Sequence, residues 1–154
     1  MAITKTTLYS GSWNTLRDLI SNTLVDPEQR HKEMIVHAIR QRPNNDGFCG
    51  YPYIIMSPIK VKKEAVRNDG DTTELSFVVK FEVLATDYPK LDKMTDALAN
   101  VFNTQANLNT LRNNGLEGGL LVEDEDTGED YVDGQKVFVR TAAIPFKATM
   151  KVMS

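Results

Sequence analysis

The segment that most constrains this chain is 75–83, where Leu75, Phe77, Val79, Phe81 and Val83 alternate with mostly polar neighbours. Successive side chains of a strand point to opposite faces, so this spacing gathers the large apolar groups on one side of an extended chain. Upstream, Ile59, Val61, Ala65 and Val66 form a second strand-like run that leads into Asn68-Asp69-Gly70-Asp71. Asp-Gly favours a tight hairpin turn because Gly tolerates positive φ. A long β-hairpin is therefore expected within residues 53–85, and its apolar face needs a second layer to cover it.

Helical patterns supply that layer. Trp13, Leu16, Leu19, Ile20 and Leu24 recur at helical spacing after Ser10 and Ser12, either of which can cap the first turn, and Asp26-Pro27 closes the segment. A second helix is expected near Pro89, which suits a first helical turn because its missing N–H would have no intrahelical partner. Leu91, Met94, Leu98 and Val101 form its apolar stripe, and the pattern carries through Leu108 and Leu111 to a stop at Asn113-Asn114-Gly115.

The rest of the chain reads as strands and loops. Met34, Ile35, Val36, Ala38 and Ile39 fit the core of a helix or of a strand, and their β-branched neighbours favour a strand over residues 33–41. A loop follows in which Gly47 and Gly50 bracket Phe48 and Cys49 ahead of an extended Tyr51-Pro52-Tyr53. A closing pair of strands is expected over 116–123 and 132–144, joined by an acidic loop containing Asp126-Thr127-Gly128, with Pro145 interrupting the last strand. The fold class is α+β: a single antiparallel (mixed) β-sheet with helices packed on one face and a long β-hairpin. At 154 residues, one domain spanning 1–154 is expected.

Charge and composition narrow the function classes. Lys and Arg number 18 against 21 Asp and Glu, for a net charge of -3, which disfavours general nucleic-acid binding. Cys49 is the only cysteine, so no intrachain disulfide can form and a reducing compartment fits. No apolar stretch approaches the ~20 residues needed to span a bilayer, and the first residues lack the apolar core of a signal peptide. A cytoplasmic protein without membrane contact is expected.

Motifs for chemistry are lacking. His31 and His37 have no acidic or thiol cluster at metal-ligand spacing, and Cys49 reads as a loop or buried thiol rather than a nucleophile. Neither a phosphate-binding glycine loop nor a Gly-x-Ser-x-Gly elbow is present. Asp124, Asp126 and Gly128 superficially suggest a calcium loop, but Gln135 stands where the bidentate Glu of an EF-hand is required. No catalytic residue, metal or cofactor is expected.

The order of elements, together with "YPYIIMSPIKV", the long hairpin and "DYPKLDKMTDALANVF", resembles the tail terminator and tail-completion proteins of long-tailed bacteriophages. The resemblance covers residues 13–148 in element order and character. It implies an α+β subunit that forms a homo-oligomeric ring, hexameric by family resemblance, at the head-proximal end of the tail. Such a ring ends tail-tube growth and offers a joining surface to the head. The implied partners are other copies of the chain, the tail tube protein and the head-tail connector or neck protein, and DNA passes through the lumen without specific binding. The implied location is the virion tail, assembled in the host cytoplasm, and no enzymatic step is expected.

A closed ring needs a heterologous interface between two unlike patches. Lys60, Lys62, Lys63 and Arg67 give the first hairpin a positive strip, while Glu123, Asp124, Glu125, Asp126, Glu129, Asp130 and Asp133 give the second a negative one. The two strips can meet across subunits, the acidic loop can line the lumen, or both can be solvated strand faces. Two rival functions stay open: a neck, head-closure or minor tail adaptor, and a small cation- or ligand-binding module using the acidic loop and the 47–53 loop.

Overall fold

A computed structural model of the protein describes residues 7–30, 35–43, 46–66, 72–118 and 123–151. Among these lie three helices, α1 (Leu8–Thr23), α2 (Tyr88–Val101) and α3 (Gln105–Asn113). The strands are β1 (Val36–His37), β2 (Tyr53–Met56), β3 (Lys60–Val66), β4 (Thr72–Ala85), β5 (Leu116–Gly118), β6 (Glu123–Val132) and β7 (Gln135–Lys151).

All the strands join one sheet built on β4 and β7, which pair antiparallel along the whole of β4, from Thr72 opposite Lys151 to Ala85 opposite Phe138. The outer side of β4 is shared end to end by β3, which pairs with Thr73–Val78, and β2, which pairs with Phe81–Leu84. The outer side of β7 is shared likewise by β6 and β5. β1 adds parallel to β2, so the sheet is mixed. It does not close on itself, and the expected α+β fold is borne out.

The period-two alternation sorts the two faces. Leu75, Phe77, Val79, Phe81 and Val83 of β4, with Ile144, Phe146 and Ala148 of β7, form one core with Leu16, Leu19 and Ile20 of α1, Leu91, Met94 and Leu98 of α2, and Leu111 of α3. Phe77 stacks on Phe146 at 5.6 Å between ring centroids, and Phe102 meets Phe146 edge-on at 5.5 Å. Arg140 of β7 ties the helical layer to the sheet by donating to Asp92 of α2 at 2.8 Å and to Thr95 at 3.2 Å.

Several expected boundaries need correction. α1 begins a turn earlier than Ser10 or Ser12 would set it, and Ser12 lies buried inside the helix. The α2 start is as expected: Asp87 caps it by accepting from the Lys90 N–H at 2.8 Å, with Pro89 in the first turn. The single helix expected to run on to Asn113 is instead two. The chain leaves the helix at Phe102, which is fully buried, and the Asn107 amide donates to the Val101 carbonyl at 2.9 Å, satisfying an acceptor that the break exposes. The apolar period survived the break, which is why the pattern looked continuous.

Of the strand expected over 33–41, only Val36–His37 is strand among the described residues. Pro145 does not end the last strand, since β7 runs through it to Lys151. Pro145 falls where the outer neighbour changes, between Ala143 opposite Glu123 and Phe146 opposite Gly118, a place where a missing N–H interrupts little. Of the strand expected over 116–123, Leu116–Gly118 forms β5 and Glu123 begins β6, and residues 119–122 lie outside the described residues. The Asp69-Gly70 turn lies outside the described residues.

Gly118 marks where β5 presses on β7. Its φ is +120°, and an added Cβ would come within 2.6 Å of the Pro145 carbonyl oxygen. Gly118→Ala is therefore expected to lower unfolding stability by about 2–3 kcal/mol. Gly128, whose Cβ position is open, should accept alanine without loss. Urea unfolding of the two variants checks the contrast.

Candidate functional site

Among the described residues, the second face of the sheet is covered at one end only. Tyr53, Ile55, Leu84, Val137 and Val139 form a smaller core there, roofed by Phe48, Cys49, Tyr51 and Val132. The rings interlock: Phe48 meets Tyr51 at 5.4 Å and Tyr53 at 5.8 Å, both edge-on. The Tyr53 hydroxyl accepts from the Gln41 N–H at 3.0 Å, so its buried oxygen is satisfied.

Arg30 holds this roof in place. Its guanidinium donates to the carbonyls of Cys49 at 3.2 Å and Gly50 at 2.9 Å, and to that of Pro52, which follows a cis Tyr51-Pro52 bond, at 2.5 Å. Asp26 orients Arg30 through a 3.1 Å ion pair and accepts the N–H groups of Glu28 and Arg30. Burial raises the Asp26 carboxyl, but these donors outweigh it and hold the pKa below its ordinary value of 3.8. Burial likewise pushes the Cys49 thiol up, against the pull of Arg30. That keeps it protonated rather than poised as a thiolate.

Arg40 crosses the same face. It pairs with Asp130 of β6 and, at 3.5 Å, with Glu82 of β4. The guanidinium holds the exposed Asp130 carboxyl below its ordinary range.

Beyond the roof no described residue covers the face, and its two edges carry opposite net charge. Lys60 lies opposite Val78, and Lys62 sits at a bulge in β3; both are exposed. Lys63 lies opposite Ser76 in the backbone register, and Arg67 is outside the described residues. Of the ten residues of β6, Glu123, Asp124, Glu125, Asp126, Glu129 and Asp130 are acidic. Among the described residues β3 pairs only with β4, and β6 only with β7. The strips expected from sequence therefore lie on opposite edges of one sheet, and the structure does not bring them together within the chain.

The acidic segment is a correction as well. It was expected to be a loop, but it forms β6, and the turn falls at Asp133-Gly134. A strand sends successive side chains to opposite faces. Asp126 and Asp130 share one face, while Glu129 faces the other and pairs with Lys136 at 3.2 Å. Such carboxylates do not converge on one ion, and no group of three His, Cys, Asp or Glu able to hold a metal occurs among the described residues. Of the two histidines, His37 meets Tyr53 edge-on at 5.5 Å, and His31 is outside the described residues.

Sequence reading missed Arg30, Asp26 and Arg40. Asp26 and Arg30 stand at i,i+4 spacing, which was legible, but the carbonyls that Arg30 gathers lie some twenty residues away and carry no side-chain signature. A scan against protein-family models finds no match to this chain, and a search of the curated proteins finds none either.

Because the folded Asp26 carboxyl is depressed, the contribution of its pairing with Arg30 is complete above the unfolded value of 3.8 and disappears as pH falls through the lower folded value. Asp26→Asn is expected to cost about 2–3 kcal/mol at neutral pH. Its deficit against the parent protein should narrow as urea unfolding is followed below pH 3.8.

Proposed function

We propose that this chain is a structural assembly subunit of tail-terminator type, whose work is done by its edges rather than by a reactive centre. The observation that carries the reading is the pair of unlike edges, basic β3 and acidic β6, on opposite sides of one open sheet. A subunit with two different complementary surfaces joins its neighbours head to tail, and such joining closes into a ring when the rotation between copies allows it. The element order resembling phage tail terminators gives that ring a setting. It sits on the head-proximal end of the tail tube, stops its growth and joins the neck, hexameric if the resemblance holds. Tail tube protein, connector or neck protein and sister copies are its partners, and DNA passes through its lumen without specific contacts.

The alternative of a small cation- or ligand-binding module draws no support from β6, whose register sends Asp126 and Asp130 to one face and Glu129 to the other. No particular geometric feature favours the neck adaptor over the terminator.

Deleting the coding segment from a phage that carries it is expected to yield tail tubes of uncontrolled, excessive length. Supplying the protein in trans should restore a single length, measured by negative-stain electron microscopy. Tails of normal length that fail to attach to heads would overturn the terminator reading in favour of an adaptor.

A further inference from the structure

We infer that the interface between copies is a β-strand addition in which the acidic edge of β6 in one copy lies antiparallel to the basic edge of β3 in the next. The inference rests on the assembly reading above and specifies its contact. Strand direction alternates across the sheet: β3 is antiparallel to β4, β4 to β7 and β7 to β6. β3 and β6 therefore run in opposite directions, and extending the sheet from one copy to the next pairs them antiparallel, with the helical layers on the same side.

Charge selects this pairing over the symmetric ones. Two β6 edges would pair a strand that has six acidic residues in ten with its like, and two β3 edges a strand that has three lysines and one glutamate in seven with its like. Like charges directly opposite on paired strands are destabilising, so the two-fold arrangements are disfavoured and the head-to-tail one remains.

Apolar surface lies beside the charges on both edges. Where β2 leads into β3, on the helical side, Tyr9, Trp13, Ile39, Met56, Pro58 and Ile59 line an open groove. Tyr9 is 61% and Ile39 71% exposed. At the β6 edge, Tyr131 is 67% exposed and lies opposite Lys136, on the helical side. An antiparallel register that sets Asp130, which Arg40 also holds within its own copy, opposite Lys60 on the open face makes that the one acid–lysine pair directly opposed, and it sets Tyr131 opposite Ile59 on the helical face, beside the groove. β3 and β6 occupy diagonal corners of the sheet, so copies joined this way are staggered along the strands. A ring then closes with its strands inclined to the ring axis, as strands are inclined in closed barrels.

Two variants test this together. The first, Lys60→Glu with Lys62→Glu, makes both edges acidic; the second, Asp124→Lys, Asp126→Lys, Glu129→Lys and Asp130→Lys together, leaves two acids against four lysines on β6 and so makes both basic. Circular dichroism and thermal melting establish that each is folded, and light scattering with native mass spectrometry gives the masses. The parent protein is expected to self-associate with a salt-sensitive affinity, and each variant alone to remain monomeric. An equimolar mixture should assemble into alternating complexes with an even number of copies. Tyr131→Ala, which leaves every charge in place, should weaken self-association on the order of tenfold.

A parent protein that stays monomeric at every concentration, a charge variant that assembles alone, or a mixture of the two charge variants that does not assemble would each overturn the inference. Should the variants assemble normally while tail length still depends on the protein, the terminator reading stands and this interface falls. Should the charge swap behave as described while deletion leaves tail length unchanged, the reverse holds.

Discussion

The pairing of β4 with β7 governs the rest of the molecule. Fourteen consecutive residues of β4 find partners on β7 without a break in register, and a slip by one residue would send every apolar side chain of either strand to the wrong face. With that register fixed, Phe77 meets Phe146 and Val79 meets Ile144, and the helices have one continuous apolar surface to cover. Because β7 is longer than any partner on its outer side, and β4 longer than either of its own, each is completed by two shorter strands in tandem. That is how the sheet ends in four partial edges rather than two full ones.

Cover is uneven on the two faces, and the unevenness follows from what each cover is made of. The helical face is closed by amphipathic helices whose stripes match its length. Among the described residues, the other is closed where Leu84, Val137 and Val139 break the polar alternation. A loop has few backbone partners of its own there, and Arg30 supplies them by collecting three carbonyls while Asp26 fixes its orientation. Removing either partner would leave the other half-buried and uncompensated, which makes this pair more consequential than the exposed ones. Arg40, with its guanidinium largely in solvent, links β4 to β6 and contributes orientation more than stability.

The sequence was legible where a periodic signal met a single environment. Alternation in 75–83 specified β4, helical spacing specified α1 and α2, and Gly47 and Gly50 adopt the positive φ their loop requires. It misled where one signal admits two structures. Six acids within ten residues look like a solvated loop because strands seldom carry so many, yet an edge strand exposes one backbone side and both faces of its tip, so the charge can stay in water. Pro145 reads as an interruption because proline is poor in central strands, but the change of neighbour from β6 to β5 leaves a place for it. Of the candidate site, the composition of both strips was readable, whereas their position on opposite edges of one sheet required the topology.

That position changes what the charges can do. A long, exposed edge strand is ordinarily a hazard, since any other strand edge can add to it, and natural sheets protect such edges with charge. The protection here is of one sign on one edge and the opposite sign on the other, so it repels like edges and attracts unlike ones. Each exposed ion pair contributes under ~1 kcal/mol, and the affinity of such a contact must come from backbone hydrogen bonds and apolar area. Charge sets only which edge meets which, and that discrimination is what separates a directed head-to-tail series from indiscriminate sheet aggregation. The same residues that keep a lone copy from sticking to the wrong edge thus determine the order in which copies join.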